Sequence, residues 1–352
     1  MQLAAFRLVH DPAGRRRTGL VVGDRSQWWI HEFSEGTDLI GLLAADAATR
    51  EEAADAAARA DGLSPSDVVL LPPVYPVAMR DFLTFEAHVE GVGKGMQGAA
   101  GVPAEWYAAP SFLFMAPHAV TGPYEDVAMP PDTERLDFEL ELAAVICRDV
   151  RNVTPAEAGA AIGGYLVMND WSARDVQGRE MKLGLGPSKG KDFATTIGPW
   201  IVTADELDDC RDADGFLDLD MSVRVNGVRV GGDRSAGMGW SFEHLVSYAS
   251  RASWVKAGEV LASGTCGSGA LAEAWGRSGR LAPPPLRIGD VVEMSIERLG
   301  TIRNRIVASG ETVPPIVPAR RRVPEEVQSM AGPEGNLIEL LDRRAARTRR
   351  AP

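Results

Sequence analysis

Apolar and acidic residues alternate strictly from Leu136 to Leu142, as Leu-Asp-Phe-Glu-Leu-Glu-Leu, and the run continues as Ala143-Ala144-Val145-Ile146. Period two predicts a strand with Asp137, Glu139 and Glu141 on one face and Phe138, Leu140 and Leu142 on the other. The Ala-Ala-Val-Ile continuation predicts a strand covered on both sides. Two carboxylates at i and i+2 on such a strand are costly, because an ionised carboxylate buried without a partner loses its hydration. That face is therefore either wet or covered by positive charge. A hard divalent cation held by carboxylate oxygens is the economical answer.

The same periodicities divide the rest of the chain. Strand-like runs at Leu3–Val9, Thr18–Val22 and Trp28–His31 are separated by turn sequences at Pro12-Ala13-Gly14 and Gly23-Asp24. An alanine- and acid-rich stretch, Asp46–Ala60, predicts a helix. Pro72-Pro73 then marks a boundary, so 1–72 is expected to be a small, mainly-β N-terminal domain, with Val68–Leu71 as the strand leading out of it. Helical spacing over Asp81–Val89 would place Asp81, Phe85 and His88 on one face. The glycine-rich Gly91–Gly98 that follows is poor helix material and is expected to be a surface loop.

Thr154 with Glu157 three residues later predicts a capping box opening a helix over Pro155–Ile162, ended by Gly163-Gly164. Tyr165–Met168 predicts a buried strand that delivers the polar run Asn169–Gln177 at its end, a position where folds present chemistry. Asn226-Gly227 between Leu219–Val225 and Val228–Val230 predicts a tight hairpin. Ser241 is the expected cap of a helix over Phe242–Ala249. Val260–Ser263 leads into a turn at Gly264-Thr265, and Val291–Ile296 with Thr301–Val307 predicts a last hairpin. Beyond Pro318 the composition turns polar and basic, with a peripheral helix expected around Leu337–Arg344.

Composition narrows the class. With 352 residues, 45% hydrophobic and 24% charged, the chain has the make-up of an ordinary soluble globular protein. A net charge of −12 argues against nucleic acid or an anionic membrane as the main partner. The arginines at 343, 344, 347, 349 and 350 make the body more acidic than the total, and the tail reads as a solvated end. Cys147, Cys210 and Cys266 are too scattered for a disulfide framework or a zinc site, which suits a reducing cytoplasm. No apolar run approaches the roughly 20 residues that span a bilayer, and the N-terminus lacks signal-peptide character. The expectation is a soluble cytoplasmic protein.

Four carboxylates, Asp81, Glu139, Glu141 and Asp170, stand at predicted strand or helix ends. Oxygen-only ligands select Mg²⁺, Mn²⁺ or Ca²⁺ over zinc. Taken singly, Asp81 also reads as a first-turn acid and Asp170 as the closure of an Asx turn. His88 is the candidate general base, because imidazole exchanges protons near neutral pH. Lys191 and Arg174 are candidates to meet an oxyanion or a substrate carboxylate. The lysine loop Gly186–Phe193 lacks the GxxxxGK[ST] spacing and is no P-loop.

Several separated motifs now fall in order: Asp137–Ala143; Met168-Asn169-Asp170-Trp171-Ser172-Ala173-Arg174-Asp175-Val176-Gln177; Gly190-Lys191-Asp192-Phe193 with Thr195-Thr196; and Leu299-Gly300-Thr301-Ile302-Arg303-Asn304. Together they resemble the fumarylacetoacetate hydrolase superfamily over roughly Val74 to Val307. The resemblance implies an α+β fold whose catalytic domain, 73–318, is a mixed β-sandwich or β-roll. It leaves 319–352 as a basic tail and implies a homodimer.

It further implies that Glu139, Glu141 and Asp170, joined by Asp81, hold Mg²⁺, with Mn²⁺ or Ca²⁺ as substitutes. His88 would activate water with help from a distant glutamate, best matched by Glu273, while Arg174, Gln177 and Lys191 match the family's remaining polar groups. The implied reaction is hydrolysis of a C–C bond in a small keto-acid of the acylpyruvate type. Decarboxylation, hydration, isomerisation or a biosynthetic cyclisation on the same site are the alternatives. Two departures touch the substrate face: Leu83 stands where hydrolytic relatives usually carry tyrosine, and glycines follow His88 where a basic helix is usual.

Overall fold

The computed structural model describes residues 1–23, 27–96 and 101–317. Its contacts separate Met1–Gly310 from a second unit beginning at Glu311, whose described part, 311–317, carries no helix or strand. The expected helix at Leu337–Arg344 lies outside the described residues. Among the described residues no helix is long and apolar enough to cross a membrane.

The chain opens as a meander of β1 (Gln2–Leu8), β2 (Arg17–Gly23) and β3 (Trp28–Glu32), followed by helices α1 (Leu39–Ala44) and α2 (Ala47–Ala57) and by β4 (Val68–Leu71), which returns to pair with β1. Next come β5 (Met79–Phe82), α3 (Glu86–Met96), β6 (Phe112–Met115), β7 (Val120–Thr121) and β8 (Val127–Met129). The acidic alternation folds as β9 (Leu136–Asp137) and β10 (Leu140–Ile146), then α4 (Pro155–Ala158), β11 (Ile162–Asp170), β12 (Ser172–Ala173) and α5 (Arg174–Met181). The remainder runs β13 (Thr195–Thr203), β14 (Asp220–Val225), β15 (Val228–Arg234), α6 (Phe242–Ala249), β16 (Val260–Ala262), α7 (Leu271–Ser278), β17 (Val291–Ile296) and β18 (Gly300–Ala308).

Among the described residues, eleven strands form one mixed sheet in the order β3-β2-β1-β13-β11-β10-β16-β5-β6, with β4 beside β1 and β7 beside β13. Five others form a second sheet, β15-β14-β17-β18-β8. Leu142, Ala144, Ile146, Tyr165 and Val167 of the large sheet share one core with Met221, Val223, Met294 and Ile302 of the second. Ala143, Val145, Leu166 and Met168 face the opposite way, onto Leu39, Leu42 and Leu43 of α1. The Ala-Ala-Val-Ile segment is thus covered on both faces, as its composition requires. This α+β arrangement agrees with the expected fold class.

Local signals translate directly into geometry. Thr154 and Glu157 form the capping box, and Asp46 caps α2 through Thr49 N–H. Asn226 and Gly227 take positive φ values of 51° and 81° in the β14–β15 turn, as a two-residue hairpin of this type demands. Ser241 precedes α6 as expected, although its hydroxyl bonds to His244 Nδ1 rather than to a backbone N–H.

Four expectations need correction. The 1–72 segment is not a separate compact unit, because β1 pairs with β13 in the middle of the large sheet. Asp81 lies on β5, and the helix begins only at Glu86. That helix then runs through Gly91, Gly93 and Gly95, where a loop was expected; residues 97–100 lie outside the described set. Gly163 and Gly164 belong to β11 rather than ending a helix. A Cβ at Gly164 would lie 2.4 Å from the Val202 carbonyl oxygen of the neighbouring strand, and one at Gly163 would lie 2.8 Å from Leu43 Cβ and 2.9 Å from Cys147 Cβ, so close packing explains both glycines.

Candidate active site

Strands β11, β10, β16 and β5 are neighbours, and their directions bring the end of β11, the start of β10 and the ends of β16 and β5 to one rim of the sheet. That rim carries Asp170, Glu139 with Glu141, Thr265 and Asp81 respectively. The strand pattern breaks at Phe138-Glu139, where the ladder is replaced by side-chain bonds. Phe138 N–H donates to its neighbour Asp137 Oδ1 (2.8 Å), and Glu139 N–H donates to Asn169 Oδ1 (3.0 Å). Gly264 turns the chain back after β16 at φ 80°, and a Cβ there would lie 2.2 Å from the carbonyl oxygen of Phe82, the residue after Asp81. Only glycine fits there.

The four acids predicted as ligands meet. One carboxylate oxygen from each of Asp81, Glu139, Glu141 and Asp170 lies within 4.8 Å of the others, and all four residues are buried. Lys191 Nζ bridges Glu139 and Asp170, and Arg174 Nη2 lies 2.7 Å from Glu139 Oε1. One lysine and a shared arginine do not satisfy four carboxylates. Asp81 Oδ1, Glu141 Oε2 and Asp170 Oδ1 are buried with no hydrogen-bond partner. Burial raises the Asp81 carboxyl to about 6, with Lys191 opposing. Burial, reinforced by the other acids, pushes Glu141 well above the usual range, and burial does the same for Asp170 against the pull of Lys191. Glu139 is held low: burial acts to raise it, but Arg174 and Lys191 outweigh that.

Three unpartnered carboxylate oxygens in one buried acidic cluster are what a hard cation would satisfy. The donor set is all oxygen, which favours Mg²⁺, Mn²⁺ or Ca²⁺ over zinc. The residues present therefore suit the divalent ion that the sequence implied.

A second pair completes the site. His88, on α3, is buried and its Nδ1 lies 3.0 Å from Glu273 Oε1, on α7. Glu273 is itself fully buried, and its Oε2 accepts from Ser268 N–H (2.8 Å) and Arg277 Nη1 (3.2 Å). Gly91 explains how the helices approach so closely: a Cβ there would sit 3.1–3.2 Å from Glu273 side-chain atoms. Glycine in a helix costs about 1 kcal/mol against alanine, and here it makes room for the carboxylate. Glu273, matched above to the family's distant glutamate, is the residue the fold places beside His88.

Arg174 and Gln177 open α5. Arg174 reaches Asp137 Oδ2 through Nε (2.8 Å), and its Nη1 donates to Gln177 Oε1 (3.0 Å). Asp137 was read only as the third acid of the strand, and its role was missed. Its two oxygens accept from the Leu271 and Ala272 N–H groups (2.9 and 3.0 Å), so one carboxylate holds both Arg174 and the first turn of the helix carrying Glu273. The signal is its place in the acid alternation beside the two candidate ligands Glu139 and Glu141. Thr265 Oγ1, 3.4 Å from Glu141 Oε1, is a weaker addition.

Part of this site opens on a cavity of about 380 Å³, whose lining includes Asp81, Glu139, His88, Lys191, Arg174 and Gln177 together with apolar side chains. The size is that of a small-molecule pocket. The Leu299–Asn304 motif lies elsewhere, at the start of β18, where Asn304 Nδ2 donates to the Glu125 carbonyl (2.8 Å) and pins the 122–125 segment.

The chain is similar to several known proteins. The chain is 32% identical over 200 residues to a 2,4-didehydro-3-deoxy-L-rhamnonate hydrolase of Sphingomonas sp. (strain SKA58), covering 56% of this chain and 65% of that protein. It is 33% identical over 192 residues to a mitochondrial oxaloacetate tautomerase of Rattus norvegicus, covering 54% of this chain and 56% of that one. The matches thus span less than two thirds of either relative. Its structure resembles a fumarylacetoacetate hydrolase from psychrophilic Exiguobacterium antarcticum, with TM-score 0.66 and 26% identity over 88% of this chain and the whole of that one. The family described as Fumarylacetoacetate (FAA) hydrolase C-terminal matches residues 78–307, about two thirds of the sequence. The chain belongs to the fumarylacetoacetate hydrolase family.

Proposed function

We propose that this chain is a divalent-metal-dependent hydrolase that cleaves a C–C bond in β-diketo acids of the acylpyruvate class, with Mg²⁺ held by Glu139, Glu141, Asp170 and Asp81. The observation that carries the reading is a buried four-carboxylate cluster with three unpartnered oxygens, reached through Asp81 and Glu139 from the same cavity that His88, paired with Glu273, also lines. A divalent ion held by these carboxylates would supply Lewis-acid polarisation of a substrate carbonyl.

The protein's own groups do the rest. Glu273 accepts the Nδ1 proton of His88, which fixes the tautomer and leaves Nε2 to take a proton from water. The hydroxide so formed adds to the carbonyl carbon. As the C–C bond breaks, the imidazolium returns that proton to the departing carbon, so protons balance over one turnover. Arg174 takes the carbonyl oxygen of Gln177, so the amide NH₂ of Gln177 remains as a donor toward the cavity. Lys191 carries a buried positive charge beside Glu139 and Asp170, where negative charge on the substrate would develop.

The test is product analysis with acylpyruvates and Mg²⁺ or Mn²⁺, run beside His88→Ala. The variant should lose about 10²–10⁴-fold in turnover, the usual contribution of a general base, with metal affinity intact. Unchanged turnover removes His88 from the mechanism. A second reading, proton transfer between carbon and oxygen of a 2-oxo acid by the same dyad, draws support from the tautomerase relative. It predicts enol–keto exchange without cleavage.

A further inference from the structure

The cavity has an apolar side that the chemistry above does not use. Leu83, Val89, Val92, Phe112, Leu113 and Met181 form it, drawn from the segment after β5, from α3, from β6 and from the end of α5. Among the described residues lining the cavity, the cations are Lys191 and Arg174, and both are anchored at the carboxylate cluster. They can serve the keto-acid end of a substrate, and among the described residues no other lysine or arginine lines the cavity. A second carboxylate placed against the apolar side would lose its hydration with no partner.

We infer that the substrate is a monocarboxylate whose far end is uncharged and apolar: an acylpyruvate-like acid with an alkyl or aryl acyl group. This rests on the proposed keto-acid reading and sets the chain apart from the relative named for a dicarboxylate, oxaloacetate. Leu83 fits the picture. It stands 38% exposed on the cavity wall, its carbonyl oxygen held by Trp106 Nε1 at 2.6 Å, so it offers the substrate a methyl surface. Each methylene moved from water onto such a wall favours binding by about fourfold.

The experiment is calorimetry of 2-oxo acids on the Mn²⁺-loaded protein, beside its Met181→Arg variant. Affinity should rise about fourfold per methylene from 2-oxobutanoate to 2-oxohexanoate. The dicarboxylate 2-oxoglutarate should bind at least tenfold more weakly than 2-oxohexanoate. Met181 is half-exposed at the C-terminal end of α5, where an arginine is tolerated and favoured by the helix dipole. The new cation on the wall should shrink or reverse the preference.

Equal or tighter binding of 2-oxoglutarate by the unmodified protein overturns the inference and leaves the keto-acid site standing. Failure of every 2-oxo acid to bind overturns the site reading as well. Cleavage rates on hexanoylpyruvate and succinylpyruvate give a separate readout. Equal cleavage of the two keeps the hydrolase and discards the apolar preference.

Discussion

Removing divalent ions and returning Mn²⁺ should change both the stability of the protein and the way that stability depends on pH. In the metal-free fold, Asp81 titrates at about 6 instead of its ordinary 3.8, chiefly through burial, and Glu141 and Asp170 are raised further. The folded chain therefore holds protons that the unfolded chain has released, and stability declines as pH rises from about 4 through about 6. Asp81 alone accounts for about 3 kcal/mol of that decline. Glu139 works the other way, since its lowered carboxyl contributes stability that is lost only on acidification below its ordinary 4.5.

A cation takes the place of those protons, so its affinity should rise with pH. At a concentration 100-fold above its dissociation constant it stabilises by about 2.7 kcal/mol. For a unit the size of Met1–Gly310 that is about 4 °C in Tm. Thermal unfolding with EDTA or with Mn²⁺, at about pH 5 and about pH 8, reads both effects. The expected result is a larger Mn²⁺ shift at the higher pH. A Tm unmoved by millimolar Mn²⁺ at about pH 8, or a metal-free stability that climbs between pH 4 and 6, refutes the reasoning.

Other consequences follow from single contacts. Glu273→Gln keeps the shape of the dyad but removes the charge that orients and steadies His88, and should lower turnover by about 10²–10⁴-fold with Mn²⁺ affinity unchanged by calorimetry. Asp137→Ala removes one of the two carboxylates that hold Arg174 and uncaps the first turn of α7. It should cost about 3–5 kcal/mol, seen as a lowered urea midpoint. Gly91→Ala places a methyl 3.1–3.2 Å from Glu273 and should cost about 1–3 kcal/mol, with kcat falling more than KM rises as the dyad is displaced.

The Asp81 and Gly91 cases show where local reasoning stops. Asp81 sits in a stretch whose spacing suits a helix, yet register with Ala262 of β16 and Leu113 of β6 draws it into the sheet. Gly91 weakens α3 by propensity, and the same missing side chain lets α3 lie against α7. In both, contacts between residues far apart in sequence outweigh the roughly 1 kcal/mol preferences that sequence patterns report.

What the sequence determined by itself was whatever depends on neighbours along the chain. The alternation around Glu139 and Glu141, the capping box at Thr154, the Asn226-Gly227 hairpin and helix α6 are local choices of backbone angle and side-chain face. The oxygen-only set of Asp81, Glu139, Glu141 and Asp170 was legible as well, because residue type alone selects the class of cation. Only the tertiary structure decided that the four acids share one buried cluster with too few partners. It also decided that His88 meets Glu273 across 185 positions and that Asp137 serves both Arg174 and α7. Those facts depend on distance and burial, which arise when the sheet assembles and water leaves, and water is what had kept each of these charges separate.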